Sequence, residues 1–175
     1  MIARMLLIVG PARLLIDQIL LIAQNGNRKS VSKTMAKSLW AEKEITNDYG
    51  RSAVKELFGK AVMDFPKSPA LLERLVKIGS NEDDIVLDFF AGSSSTAHAI
   101  LASNAREGSQ RKFVMVQLPE STADGSIARQ EGYETISELS KERIRRAGQK
   151  ILEGGCHPDW NRDVGFRVLK IDSSN

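Results

Sequence analysis

Asp88, Gly92, the run Ser93 to Ser95, and Thr96 fall in one short stretch of the chain. Together they are suited to holding a polar ligand. Asp88 can accept hydrogen bonds from an ammonium or hydroxyl group, and Gly92 lets the backbone approach a ligand closely. The serines keep side chains small while presenting hydroxyls and amides at a positively polarised helix start. The same residues also have a purely structural use, in which Asp88 supports the turn and Ser95 or Thr96 caps the next helix. With a single glycine here, the three-glycine dinucleotide fingerprint is absent. So is a Gly-Lys-Ser/Thr phosphate cradle, which excludes plain NAD-binding and NTP-hydrolysing readings.

The elements that must position these residues are legible on both sides. Ile85-Val86-Leu87 is a short apolar run closed by Asp88, a strand suited to the middle of a parallel sheet with both faces covered. A helix follows from about Thr96, a polar segment Ser103 to Gln110 returns the chain, and Phe113 to Val116 forms a second buried strand. Two parallel strands joined by a helix make a right-handed crossover, and ligands sit outside the carboxyl ends of such strands. An acidic residue at the end of the second strand commonly grips ribose hydroxyls. Here Gln117 stands at that place, with Glu120 three residues on.

Upstream, Glu42 to Tyr49 reads as loop and Ser52 to Phe58 as a helix ended by Gly59. Ser68 is a good N-cap, with Pro69 at the first helical position. Leu71, Leu72, Leu75 and Val76 make the buried stripe of that helix, and Gly79 closes it. Downstream, Ser121 to Gly132 is expected to be a mobile polar loop. Glu134 to Leu152 reads as a long helix with Ile136, Leu139, Ser140, Ile144, Ala147 and Ile151 on its inner stripe. Arg143, Arg145 and Arg146 are expected to project elsewhere, either toward phosphate or onto a solvated face with pairs such as Glu142 and Arg146. Gly165 to Ile171 is a last strand.

With 175 residues, 42% hydrophobic and 27% charged, the chain describes one soluble α/β domain. A net charge of +3 permits contact with a polyanion without requiring it. Cys156 is the one cysteine, so no internal disulfide framework exists, and with His98 and His157 it makes no convincing metal site. Cys156 and His157 receive no role. His98 either lines a ligand pocket or is packed. The leucine- and isoleucine-rich stretch Met1 to Gln24 is interrupted by Arg4, Pro11, Arg13 and Asp17, so no uncharged run spans a bilayer. The expectation there is an apolar helix from Leu14 to Ala23, ended by Asn25-Gly26-Asn27, then a basic loop from Arg28 to Lys37.

Asp88-Phe89-Phe90-Ala91-Gly92-Ser93 with Thr96-Ala97-His98-Ala99 resembles the S-adenosylmethionine (SAM) motif of amino-group DNA methyltransferases. It is most similar to the modification (Mod) subunits of type III restriction-modification systems, in the permuted class. Asp64-Phe65-Pro66-Lys67-Ser68-Pro69, Arg111 to Glu120, Lys141 to Ala147, and Gly165 to Asn175 are similar to that family in the same order. The resemblance divides the chain into 1–38, atypical for the family, and 39–175, the SAM-binding part. It implies a partial Rossmann-like SAM-dependent methyltransferase fold, mostly parallel sheet flanked by helices, in a cytoplasmic protein. It further implies that Lys67, Ser68, Asp88, Phe89, Phe90, Ala91, Gly92, Ser93, Ser94, Thr96, Gln117 and Glu120 surround SAM, and that DNA is the partner.

The family transfers the methyl group to the exocyclic nitrogen of a flipped-out base using an acidic or amide residue, two consecutive prolines and an aromatic. This chain has five prolines and no two are adjacent. The resemblance therefore implies a fragment of an adenine-N6 methyltransferase without its catalytic motif, completed by another Mod polypeptide and a restriction subunit. The alternative is a non-catalytic remnant that serves at most as a SAM- or DNA-binding or oligomerisation module. Ser94 stands where the family has a second glycine. A serine held there at positive φ costs on the order of 1 kcal/mol.

Overall fold

The structure, a computed structural model, describes residues 6–9 and 40–170. In chain order the elements are strand β1 (Leu6–Val9), a 3-10 turn (Lys43–Ile45), α1 (Asn47–Phe58), α2 (Pro69–Gly79), β2 (Ile85–Asp88), α3 (Ser95–Glu107), β3 (Lys112–Gln117), α4 (Ile127–Gln130), α5 (Ile136–Glu153) and β4 (Arg167–Lys170). The four strands form one sheet in the order β2-β3-β1-β4. β2 and β3 are parallel, with Ile85 opposite Lys112 and Asp88 opposite Met115. α3 is their crossover helix. β1 pairs antiparallel with both β3 and β4, so the parallel character lies where the ligand-type turn lies.

Local chemistry explains the helix ends. Thr46 accepts from the Tyr49 amide and starts α1 inside the stretch expected to be loop, while Gly59, at φ 74°, ends it. Ser68 caps α2 with Pro69 just inside, as the residue types predict. α5 opens on a full capping box between Thr135 and Glu138. α3 runs to Glu107, well past Ser103, where a polar connector was expected. Its polar residues there are buried because they close the turn into β3. The Asn104 side chain donates to the Arg111 carbonyl and accepts from Ser109 Oγ and the Arg111 amide. The stretch 121–132, expected to be a mobile loop, carries α4 behind a Ser126 cap. Ala128 from α4 is packed into a core.

The main core lies between the parallel pair and the helices. Ile100, Leu101 and Ala97 of α3 meet Phe113 and Met115 of β3 and Ile144 of α5. A second cluster of Val54, Val62, Ala128 and Leu139 joins α1 to α5. Gly50 lets α1 lie against the Pro66 segment, since a Cβ there would run into the Pro66 carbonyl.

Two further expectations are corrected. β2 is an edge strand among the described residues, with Leu87 48% exposed, because β3 is its one described neighbour. Leu75 of α2, assigned to the buried stripe, is exposed on the same side. The expected helix Leu14 to Ala23, the basic loop Arg28 to Lys37, and the segment from Ile171 to Asn175 lie outside the described residues. No described helix is long and apolar enough to cross a membrane.

Candidate functional site

The site is built at the carboxyl ends of β2 and β3. β2 ends at Asp88, and both carboxylate oxygens are engaged: Oδ1 accepts from the Phe90 amide at 3.0 Å and Oδ2 from Thr96 Oγ1 at 2.6 Å. Asp88 thus braces the turn from its first residue to the first turn of α3. Thr96 is committed to Asp88, and no side chain caps α3. Of the two parts of the structural use read for this turn, the bracing by Asp88 is realised and the cap by Ser95 or Thr96 is not.

Between those two residues the chain makes a tight crossing. The Ala91 amide donates to the Val116 carbonyl at 3.1 Å, and the Gly92 amide donates to Gln117 Oε1 at 2.7 Å. The Gln117 side chain, itself buried, returns its Nε2 to the Leu118 carbonyl. The end of the second strand is therefore tied to the turn after the first by a side chain. Gly92 has φ 52° and Ser94 φ 57°, both left-handed. Ser94 is the N-cap residue of α3 and buries its hydroxyl against Ser140 Oγ.

Phe89 and Phe90 point away from this knot and are 61% and 90% exposed. They head an open groove of 590 Å³ between α2 and the outer edge of β2, floored by Leu72, Leu75, Val76, Leu87, Asp88 and Thr96. Lys67 is exposed at the entry to α2. Ser68 is buried, its hydroxyl accepting from the Leu71 amide and donating to the Glu44 carbonyl. Glu120 is exposed, and its backbone carbonyl receives the Ile136 amide. The structure therefore brings Asp88 to Thr96 and Gln117 into one assembly, while Lys67, Ser68 and Glu120 stand outside its hydrogen-bond network.

Arg143 is the residue that sequence reasoning misplaced. It was expected to project outward with Arg145 and Arg146, yet it is fully buried. Its Nη1 donates to Ser93 Oγ and Ser95 Oγ, both at 2.6 Å. Its Nε and Nη2 have no partner among the described residues, and burial alone lowers the guanidinium to about 10. The available signal was helical spacing: counted from Ile136 and Ser140, position 143 falls on the inner stripe. Arg146 pairs with Glu142 at 2.7 Å, as expected, and Arg145 reaches Glu142 at 3.5 Å. His98 is packed. Its Nδ1 is sealed without a partner among the described residues, and burial, reinforced by the Arg143 charge, pushes it down to about 3.

Comparison with known proteins gives a consistent picture. Residues 17–150 match the family model described as DNA methylase. The chain is 40% identical over 126 residues to the type III restriction-modification enzyme StyLTI Mod subunit of Salmonella typhimurium, covering 72% of this chain and 19% of that protein. It is 33% identical over 165 residues to the EcoP15I Mod subunit of Escherichia coli, covering 91% and 24%. The type II methyltransferase M.KpnI of Klebsiella pneumoniae is 27% identical over 115 residues, covering 66% and 28%. The chain thus spans about a fifth to a quarter of the length of these Mod subunits.

Proposed function

The chain belongs to the DNA methylase family, and from that premise we propose that it is the SAM-binding portion of a type III DNA adenine-N6 methyltransferase. The observation that carries this reading is the knot at the ends of the parallel pair, where Asp88 accepts from the Phe90 amide and Thr96 while Gln117 accepts from the Gly92 amide, beside an open groove. The residues fit the cofactor chemically. Each Asp88 oxygen keeps a lone pair free for an ammonium or hydroxyl group, and a groove of 590 Å³ is within the usual range for a nucleoside-sized ligand. When bound, SAM supplies an electrophilic methyl group. Asp88 and the Gly92 turn serve to orient it, and Phe89 and Phe90 supply apolar surface at the groove mouth.

Methyl transfer needs a base-binding motif that this chain lacks. We assign it to another Mod polypeptide, joined by a restriction subunit, in a cytoplasmic complex on DNA. Support for such a partner is the β2 edge, unpaired among the described residues, with Leu75, Leu87 and Phe90 exposed beside it, an edge of the kind another chain completes. The test is calorimetric titration of SAM into the chain and into Asp88→Ala. Binding that the variant loses is the expected result. A folded chain that takes up no SAM overturns the reading and leaves the second one, a non-catalytic remnant, which the left-handed Ser94 favours. Purified alone, the chain is expected to transfer no methyl group to DNA, as measured with isotopically labelled SAM.

A further inference from the structure

Three consecutive serines, 93, 94 and 95, turn their hydroxyls away from the groove and into the protein, where all three are buried. Two residues one helical turn apart on α5 receive them. Ser140 bonds Ser94, and Arg143 bonds both Ser93 and Ser95. No carboxylate pairs with Arg143 among the described residues, and burial is the sole cause acting on its charge. An arginine buried without a counter-ion is costly, so packing alone is a poor reason to keep it there. What it does make is two charge-assisted bonds to hydroxyls that flank the left-handed residue, and such bonds are the stronger kind.

We propose that Ser140 and Arg143 form a clamp that sets the shape of the Phe90–Ser95 turn before any ligand arrives. They act as positioning residues for the cofactor, not as groups that touch it. The ligand side of this proposal rests on the SAM reading given above. The clamp explains how a serine persists at φ 57°. Its hydroxyl is fixed by Ser140, its two neighbours are fixed by one guanidinium, and the backbone between them has no freedom to relax. The turn's outer residues, Asp88, Phe89 and Phe90, are thereby presented rigidly to the groove.

Amide hydrogen exchange of the whole chain, read beside SAM affinity, tests the clamp. Arg143→Met should accelerate exchange at Gly92 to Ala97 by at least about tenfold and weaken SAM by a similar factor, the scale of losing charge-assisted bonds. Arg143→Lys should restore both to within about threefold, because an ammonium can bond the same two hydroxyls. Ser140→Ala should accelerate the same amides by a few-fold. The clamp is overturned if Arg143→Met leaves these amides at the wild-type rate, or if β3, α1 and the turn all accelerate alike. Should Arg143→Met fail to fold, Ser140→Ala decides: acceleration confined to the turn upholds the clamp, and no local change rejects it. Wild-type chain with a protected turn but no SAM binding upholds the clamp and overturns the cofactor reading.

Discussion

The turn between β2 and α3 has two flanks of opposite character. Toward α5 everything is enclosed: Ser93 to Ser95, Ser140 and Arg143 are buried, and the core behind them is filled by Ile100, Phe113 and Ile144. Toward α2 the groove is open, and Leu75, Leu87, Phe89 and Phe90 meet solvent. The first flank holds hydroxyls that are matched by Ser140 and Arg143. The second holds apolar groups that no described residue covers. That difference teaches which side is closed by the described residues and which is left for a further segment or partner to complete, since uncovered apolar surface of this kind marks an interaction site.

If the enclosed flank carries the stability, Ile100→Ala should break it most severely. Removing a fully buried isoleucine should cost about 2–5 kcal/mol, read from urea unfolding. His98 gives the next largest effect. Its unfolded pKa of 6.5 lies above the folded value of about 3, so the unfolded chain binds the extra proton in that window. Stability is therefore complete above pH 6.5 and declines as pH falls toward 3, by on the order of 4 kcal/mol. Comparing acid unfolding of the wild type with His98→Gln isolates this term, and the variant should show the flatter curve. Ser94→Gly should be nearly silent, within about 1 kcal/mol, because relief of the left-handed serine offsets the lost bond to Ser140. In a Ser140→Ala background the same change should become stabilising. On the open flank Leu87→Lys should alter stability by no more than about 0.5 kcal/mol while weakening association with a catalytic partner, a contrast that denaturation and analytical ultracentrifugation together can read.

Much of this was legible from residue types. The strand to Asp88, the turn, the parallel partner strand ending at Gln117, and the Ser68-Pro69 helix start all follow from local rules that operate within a few residues. What escaped depends on distant packing. Arg143 carries the composition of a surface residue, and its burial is decided by where α5 lands on the turn, about fifty positions upstream. Leu75 and Leu87 carry the composition of core residues, yet nothing described covers them. Their apolar character was read correctly and their burial was not, because burial requires a neighbour and sequence pattern does not say which chain supplies it. Ser103 and Asn104 misled in the reverse direction, as polar residues buried because each of their groups finds a partner.

The Ser94–Ser140 bond has a consequence for how these two positions can change through descent. A residue larger than serine at 94 has no room, and alanine keeps the unfavourable backbone while losing the bond. Glycine at 94 needs no help, which frees 140 to become any small residue. Serine at 94 needs a hydrogen-bonding side chain at 140. Across related chains the two positions, forty-six apart, should therefore be inherited as a pair, with serine at one accompanied by a polar residue at the other and glycine at one leaving the other unconstrained.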